Sequence, residues 1–379
     1  MDRKNFSGHG IRVRASTAEL RLLIRILSKD TAGAARCLEN HPGLMNMLAE
    51  TCNRTGLSVV LLRALEGSPL QSAIMPQRIG YLRAAVQVQR ERLQALMPAL
   101  ASLVELFDSA KQPFILLKGP YLARRYYGDI MGREYVDIDL LVPVQNRSKV
   151  CALLKSAGYH RQSGILLSEG LTGLFVHAFD FRSGTVGIDL HWNLSQHISL
   201  HLNEEQWWTQ RVSFSIDGKS YEVLSDRHEV TFAALSLLRD IERGRPKPKN
   251  IIDLMQIAVA TDVHMDWEDM LSARDGTAGP VEYVLRRCLE ITDACDLVPN
   301  LSASLNRRQR IRVPQSSITD SPLQFPPAFL GLGNKLRVAT AYETNPATWL
   351  FWWGLSLPFR LAAHKKPPLR SGQRKRRRA

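Results

Sequence analysis

Two aspartates one residue apart, in the run Val136-Asp137-Ile138-Asp139-Leu140-Leu141-Val142, are the groups in this 379-residue chain best placed to do chemistry. Side chains of a strand alternate between its faces, so Asp137 and Asp139 project together while Ile138 and Leu140 project to the other side. Neighbouring carboxylates at the rim of an apolar core repel unless a cation sits between them. Carboxylate oxygens are hard ligands suited to a divalent ion. A strand whose wet face merely carries two acids is the plainer alternative. A third acid, Asp189, lies in an alternating stretch, 186–192, where Ile188 and Leu190 share one face and Gly187, Asp189 and His191 the other. If this stretch runs beside the first strand, Asp137, Asp139 and Asp189 converge into a two-metal site for phosphoryl transfer. One ion there would lower the pKa of an attacking hydroxyl, and both would offset charge on the phosphate.

Such a site needs a rigid frame. The spacing predicts a strand over 114–117, a Lys118-Gly119 turn, a helix over 121–127, and an acid-bearing strand that stops near Pro143. The segment SKVCALLKSAGYH from Ser148 reads as a helix ended by Gly158. Two alternating strands, 174–181 and 186–192, meet at Arg182-Ser183-Gly184-Thr185, and a second hairpin over 212–223 turns at Asp217-Gly218. Ahead of these, Ser16-Thr17-Ala18-Glu19 forms a capping box and a long apolar-periodic helix starts at Gly80. Behind them, helical periodicity resumes near Asp226, is broken by the basic loop RGRPKPKN, and returns in IIDLMQIAVA, where Asp253 reads as a capping or salt-bridge residue. The expected fold is α+β, with a small mixed sheet flanked by helices and helical regions on either side. The expected organisation is a helical N-terminal region (1–110), a catalytic core (111–224), a helical subdomain (225–306), a linker with an aromatic segment (307–363) and a basic tail (364–379).

The residues also carry a resemblance. Leu117-Lys118-Gly119, Ala123, Tyr127-Gly128, Arg133 and Asp137-Ile138-Asp139-Leu140-Leu141-Val142, followed by Ile188-Asp189-Leu190-His191-Trp192, resemble the polymerase-β-type nucleotidyltransferase superfamily. Within it the pattern is most similar to a bacterial group of uncharacterised nucleotidyltransferases. The resemblance implies that Asp137 and Asp139 hold the metals, with two Mg²⁺ ions expected and Mn²⁺ an alternative. It implies that Asp189 completes the site and helps deprotonate the acceptor hydroxyl. Gly119 stands where backbone amides approach the nucleotide phosphates, and Lys118 is a candidate phosphate partner. The superfamily usually has Gly-Ser or Gly-Gly here, whereas this chain has Gly119-Pro120, and proline offers neither a hydroxyl nor an amide hydrogen. Phosphate binding then rests on Lys118, Gly119 and Arg133, although Arg133 could instead pair with Glu134 or Asp129. A helical subdomain closing over the nucleotide, ATP or another nucleoside triphosphate, makes Arg243, Arg245, Lys247 and Lys249 further candidates, an ordinary solvated loop being the alternative. His191-Trp192 could stack on a base or orient Asp189, or simply be buried.

Composition narrows the function classes. With 45% apolar and 23% charged residues, the chain can bury a substantial core and is not a disordered protein. Five scattered cysteines without a Cys-x-x-Cys pair argue against a disulfide framework or a zinc site and predict a reducing, cytoplasmic setting. The opening MDRKNFSGHGIRVR is polar, which predicts no secretory signal. The net charge is +14, of which eight come from KKPPLRSGQRKRRRA at 365–379, leaving +6 on the rest. Such a tail attracts nucleic acid or the anionic inner surface of a membrane without selecting sequences. The preceding TWLFWWGLSLPF is too short to span a bilayer. The leading expectation is transfer of a nucleoside monophosphate to a hydroxyl on a small molecule, a peptide or another acceptor, with release of pyrophosphate. The alternatives are a non-catalytic nucleotide-binding or regulatory protein on the same fold, and an adaptor acting through its tail.

Overall fold

The computed structural model describes residues 15–162, 177–194, 204–242, 246–273 and 276–308. Arg243, Arg245, the first residues of the expected 174–181 strand, the aromatic segment and the basic tail lie outside the described residues. Five helices come first: α1 (Thr17–Leu27), α2 (Thr31–Asn40), α3 (Leu44–Thr55), α4 (Ser58–Leu65) and α5 (Pro76–Ser109). The capping box forms as expected, with the Glu19 amide donating to Ser16 Oγ and the Ser16 amide to Glu19 Oε2. Helix α5 begins at Pro76 rather than Gly80, since proline at a first helical position gives up an amide that has no intrahelical partner there.

The middle of the chain then runs β1 (Ile115–Leu116), α6 (Gly119–Tyr127), β2 (Asp137–Leu141), α7 (Arg147–Ser156), β3 (His160–Arg161), β4 (Ala178–Ser183), β5 (Val186–His191), α8 (Glu204–Thr209), β6 (Val212–Ile216) and β7 (Lys219–Val223). The first five strands make a mixed sheet in the order β1-β2-β5-β4-β3. Within it β2 and β5 are parallel, because α7, β3 and β4 carry the chain across before β5 is laid beside β2. Strands β6 and β7 form a separate hairpin whose turn, Asp217-Gly218, has positive φ at both positions (49° and 79°). That conformation matches the twist of the flanking strands, and Asp-Gly suits it.

One sheet face is apolar. Ile138, Leu140, Phe179, Phe181, Ile188 and Leu190 are buried there in one cluster with Leu96, Leu100, Leu103 and Phe107 of α5 and Val150 and Leu154 of α7. The other face carries the acids and lies toward the helices that follow: α9 (Asp226–Glu242), α10 (Pro248–Thr261), α11 (Trp267–Leu271), α12 (Ala278–Thr292) and α13 (Pro299–Arg307). These do not build a core of their own. Leu237, Leu254, Ile257, Val284 and Leu285 share one hydrophobic cluster with Leu22, Leu23, Met45 and Leu61 from the opening helices. Segments at opposite ends of the described chain thus pack against each other in one core. Among the described residues no helix is long and apolar enough to cross a membrane.

Candidate active site

The parallel pairing of β2 with β5 sets the geometry. Its register aligns Asp137 with Gly187, Asp139 with Asp189 and Leu141 with His191. With side chains alternating, the acids and the histidine all project from one face. Ligand atoms of Asp139, Asp189 and His191 lie within 4.8 Å of one another. His191 Nε2 faces Asp139 Oδ1 at 3.3 Å, so the imidazole orients Asp139, not Asp189. Asp137 stands beside this trio on the same face. Gly187 leaves room for it, since a Cβ there would sit 3.4 Å from Asp137 Cβ. Trp192 points the other way into the core, edge-on to Phe179, and is not placed to stack on a base.

Electrostatics distinguish the acids. Burial lifts Asp189 to about 7, with the fields of Asp139, Asp137 and Asp180 adding to it. Burial and the Asp139 charge lift Asp137 to about 6. Burial also pushes Asp139 upward, but its His191 hydrogen bond and the Lys118 charge outweigh that and hold it below the ordinary carboxylate range. Crowded, half-buried carboxylates that retain protons near neutrality in the absence of a counter-charge are the donor set a divalent cation would neutralise. Carboxylate oxygens with one imidazole fit such an ion, so the residues present are suited to it.

Around this centre the expected phosphate partners part company. Lys118 and Gly119 open α6 with φ of 28° and 52°. A Cβ on Gly119 would meet only Asp137 O at 3.6 Å and Tyr135 Cδ2 at 3.8 Å, ordinary contacts, so it is the left-handed backbone that calls for glycine. Lys118 Nζ lies 4.5 Å from the centre of the Phe232 ring and donates to Ser236 Oγ at 3.3 Å. Burial depresses its pKa, while the Asp139 charge partly restores it.

Arg133 is engaged elsewhere. Its Nε and Nη2 donate to the two carboxylate oxygens of Asp253 at 2.7 and 2.6 Å, and Tyr127 Oη donates to the same carboxylate at 2.8 Å. The pair is buried and ties the β2 approach to α10, which assigns Asp253 the salt-bridge role expected of it. Asp129, the alternative partner considered for Arg133, pairs with Arg63. Lys249 donates to the Glu134 carbonyl, and burial with the nearby Arg133 charge lowers its pKa to about 7 although Asp253, Glu134 and Asp137 oppose that. Glu134 Oε1 in turn accepts from the Val59 amide in the first turn of α4 at 3.1 Å, so the opening helices also brace the site.

Sequence reading missed the contribution of α9. Phe232, Ser236 and Arg239 follow helical spacing and lie along one stripe. Phe232 packs edge-on to His191 with ring centres 6.1 Å apart, and Arg239 Nη1 donates to His177 Nε2 at 2.9 Å. Ser236 and Arg239, polar residues one turn apart in an otherwise buried helix, were the available signal.

A search of the curated proteins finds no match to this chain. Among solved structures, an antigenic nucleotidyltransferase-like protein from Paracoccidioides brasiliensis aligns at 16% identity and a TM-score of 0.36, over 56% of this chain and 93% of its own. The lincosamide antibiotic adenylyltransferase LnuA, lincomycin-bound, aligns at 15% identity and a TM-score of 0.30, over 42% of this chain and 93% of its own. A family model matches residues 45–291, a span that takes in the acid-bearing sheet and the helices on both sides of it, and the chain therefore belongs to the family of uncharacterised nucleotidyltransferases.

Proposed function

We propose that this nucleotidyltransferase is magnesium-dependent and moves a nucleoside monophosphate from a nucleoside triphosphate, ATP first among candidates, to a hydroxyl of a small-molecule or peptide acceptor. The observation that carries the reading is the in-register pairing of Asp139 with Asp189, with His191 within 4.8 Å of both. Asp137, Asp139 and Asp189 would hold Mg²⁺, or Mn²⁺ on the same oxygen donors, and the bound ions would neutralise phosphate charge and acidify the acceptor hydroxyl.

The chain's own groups supply the rest. Asp189, ionised when the cation binds, would accept the hydroxyl proton. The acceptor oxygen bonds to the α-phosphorus in line, and the bond to the bridging oxygen breaks so that its electron pair leaves with pyrophosphate. His191 keeps Asp139 oriented and ionised. Lys118, at the strained turn before α6, and Lys249, near Asp137, would meet the phosphate oxygens. Burial of Lys118 and Lys249 keeps this charge away from water, which strengthens it.

Calorimetric titration of each nucleoside triphosphate, with and without Mg²⁺, into the wild type and Asp137→Asn/Asp139→Asn protein tests the proposal. Mg²⁺-dependent binding that the double substitution removes is expected. Absence of binding by the wild type to every nucleotide would sink it.

A further inference from the structure

Resting on the transfer reading above, the structure points to a residue that the family motif does not contain. Helix α9 is buried along nearly all its length, yet one stripe of it, Phe232, Ser236 and Arg239, meets the catalytic face at three successive places. Phe232 underlies the Lys118 ammonium and abuts the His191 ring. One turn on, Ser236 Oγ accepts a hydrogen bond from Lys118. A further turn on, Arg239 donates to His177, whose ring centre is 5.4 Å from that of His191. The positive charge of Arg239 acts on both Lys118 and His191, so it belongs to the same electrostatic neighbourhood as the acids.

The partners of these two cations are the telling feature. Arg133 spends its Nε–Nη2 edge on the Asp253 carboxylate, and its Nη1 donates to the Glu134 carbonyl at 3.4 Å. Arg239, among the described residues, forms no salt bridge; its hydrogen-bond partner there is an imidazole, and its Nε is buried with no partner. Lys118 is held by a hydroxyl and an aromatic face. A guanidinium can only donate, and hydrogen bonds to neutral acceptors are about half as strong as those to anions. Lys118 feels the Asp139 charge, but among the described residues neither it nor Arg239 hydrogen-bonds to an anion, so both cations have donors to offer a phosphate beside the metal-type cluster.

We propose that Arg239, together with Lys118, binds the polyphosphate of the nucleotide donor, and that Arg239, not Arg133, is the arginine of this subsite. Charge-assisted bonds from a guanidinium to phosphate contribute roughly 1.5–3 kcal/mol, which corresponds to about tenfold to a hundredfold in affinity.

The test is calorimetric titration of Mg²⁺-tripolyphosphate and of each Mg²⁺-nucleoside triphosphate into wild type, Arg239→Gln and Arg239→Lys protein, with thermal midpoints measured alongside. Arg239→Gln is expected to weaken both ligands by about tenfold or more, and Arg239→Lys by less, since it keeps charge but loses the planar fork. Unchanged binding of both ligands to Arg239→Gln overturns the assignment while leaving nucleotidyl transfer standing. Weaker binding of nucleotide with unchanged tripolyphosphate also overturns it, because the contact would then be to ribose or base. If Arg239→Gln does not fold, Arg239→Lys decides, with wild-type affinity for tripolyphosphate counting against the proposal. A wild type that binds no Mg²⁺-nucleotide fells the transfer reading itself, and this subsite with it.

Discussion

Arg133 and Asp253, 120 residues apart in sequence, form a buried two-pronged ion pair that joins the approach to the acid-bearing strand to helix α10. Removing one partner strands a charge in the interior. Asp253→Ala is expected to cost about 3–5 kcal/mol of stability, and Arg133→Met/Asp253→Leu markedly less than the sum of its single substitutions. Urea denaturation of the three variants checks this, and additive costs would show that the pair is not coupled.

Metal binding should depend on pH through the acids that hold protons. Asp137 and Asp189, raised to about 6 and about 7, must ionise to take a cation, so affinity rises as pH increases through that window and protons are released on binding. Mn²⁺ titrations in buffers of different ionisation enthalpy are expected to show proton release near pH 6 that fades near pH 8. Flat affinity across the range would mean that neither acid meets the ion.

Glu229 on α9 is buried with no hydrogen-bond partner on either carboxylate oxygen, and burial lifts it from 4.5 to about 7 despite the Lys118 and Arg125 charges. The folded state therefore holds a proton that the unfolded chain releases as pH passes 4.5. The associated stability is present at low pH and lost as pH rises toward about 7, by an amount on the order of 3 kcal/mol. Glu229→Gln should leave the thermal midpoint nearly unchanged at pH 5 and raise it at pH 8. A pH-independent effect would place the origin in packing instead.

Gly119→Ala tests the turn before α6. With φ at 52°, a side chain is strained even though the space would admit a Cβ. A stability loss of about 1 kcal/mol is expected, with weaker nucleotide binding if the Lys118-Gly119 backbone shifts to relieve it. Chemical denaturation and nucleotide titration read the two effects separately.

The strands and their acids were legible because a period of two puts Asp137 and Asp139 on one face, and Asp189 and His191 on one face, whatever the neighbours. The Asp217-Gly218 turn and the Ser16-Glu19 box were legible for the same reason, being local chemistry. The pairing of Arg133 with Asp253 was not, since nothing within either segment specifies a partner in the other. Of the roles open to His191, stacking on a base, orienting Asp189 or being simply buried, burial holds, and strand register sets its imidazole against Asp139. The stripe of Phe232, Ser236 and Arg239 was visible as helical spacing, but its meaning depends on which sheet face α9 covers, and only packing decides that.

The single core shared by the opening helices and those after Asp226 has a consequence for how the molecule comes into being. As the chain is synthesised, α1 to α4 emerge with Leu22, Leu23, Met45 and Leu61 lacking part of their eventual core, and must wait for Leu237, Leu254 and Val284 to complete it. Contacts so distant in sequence close late and slowly. A nascent chain halted in the sheet would carry an open apolar surface, a natural substrate for chaperones and a hazard for aggregation.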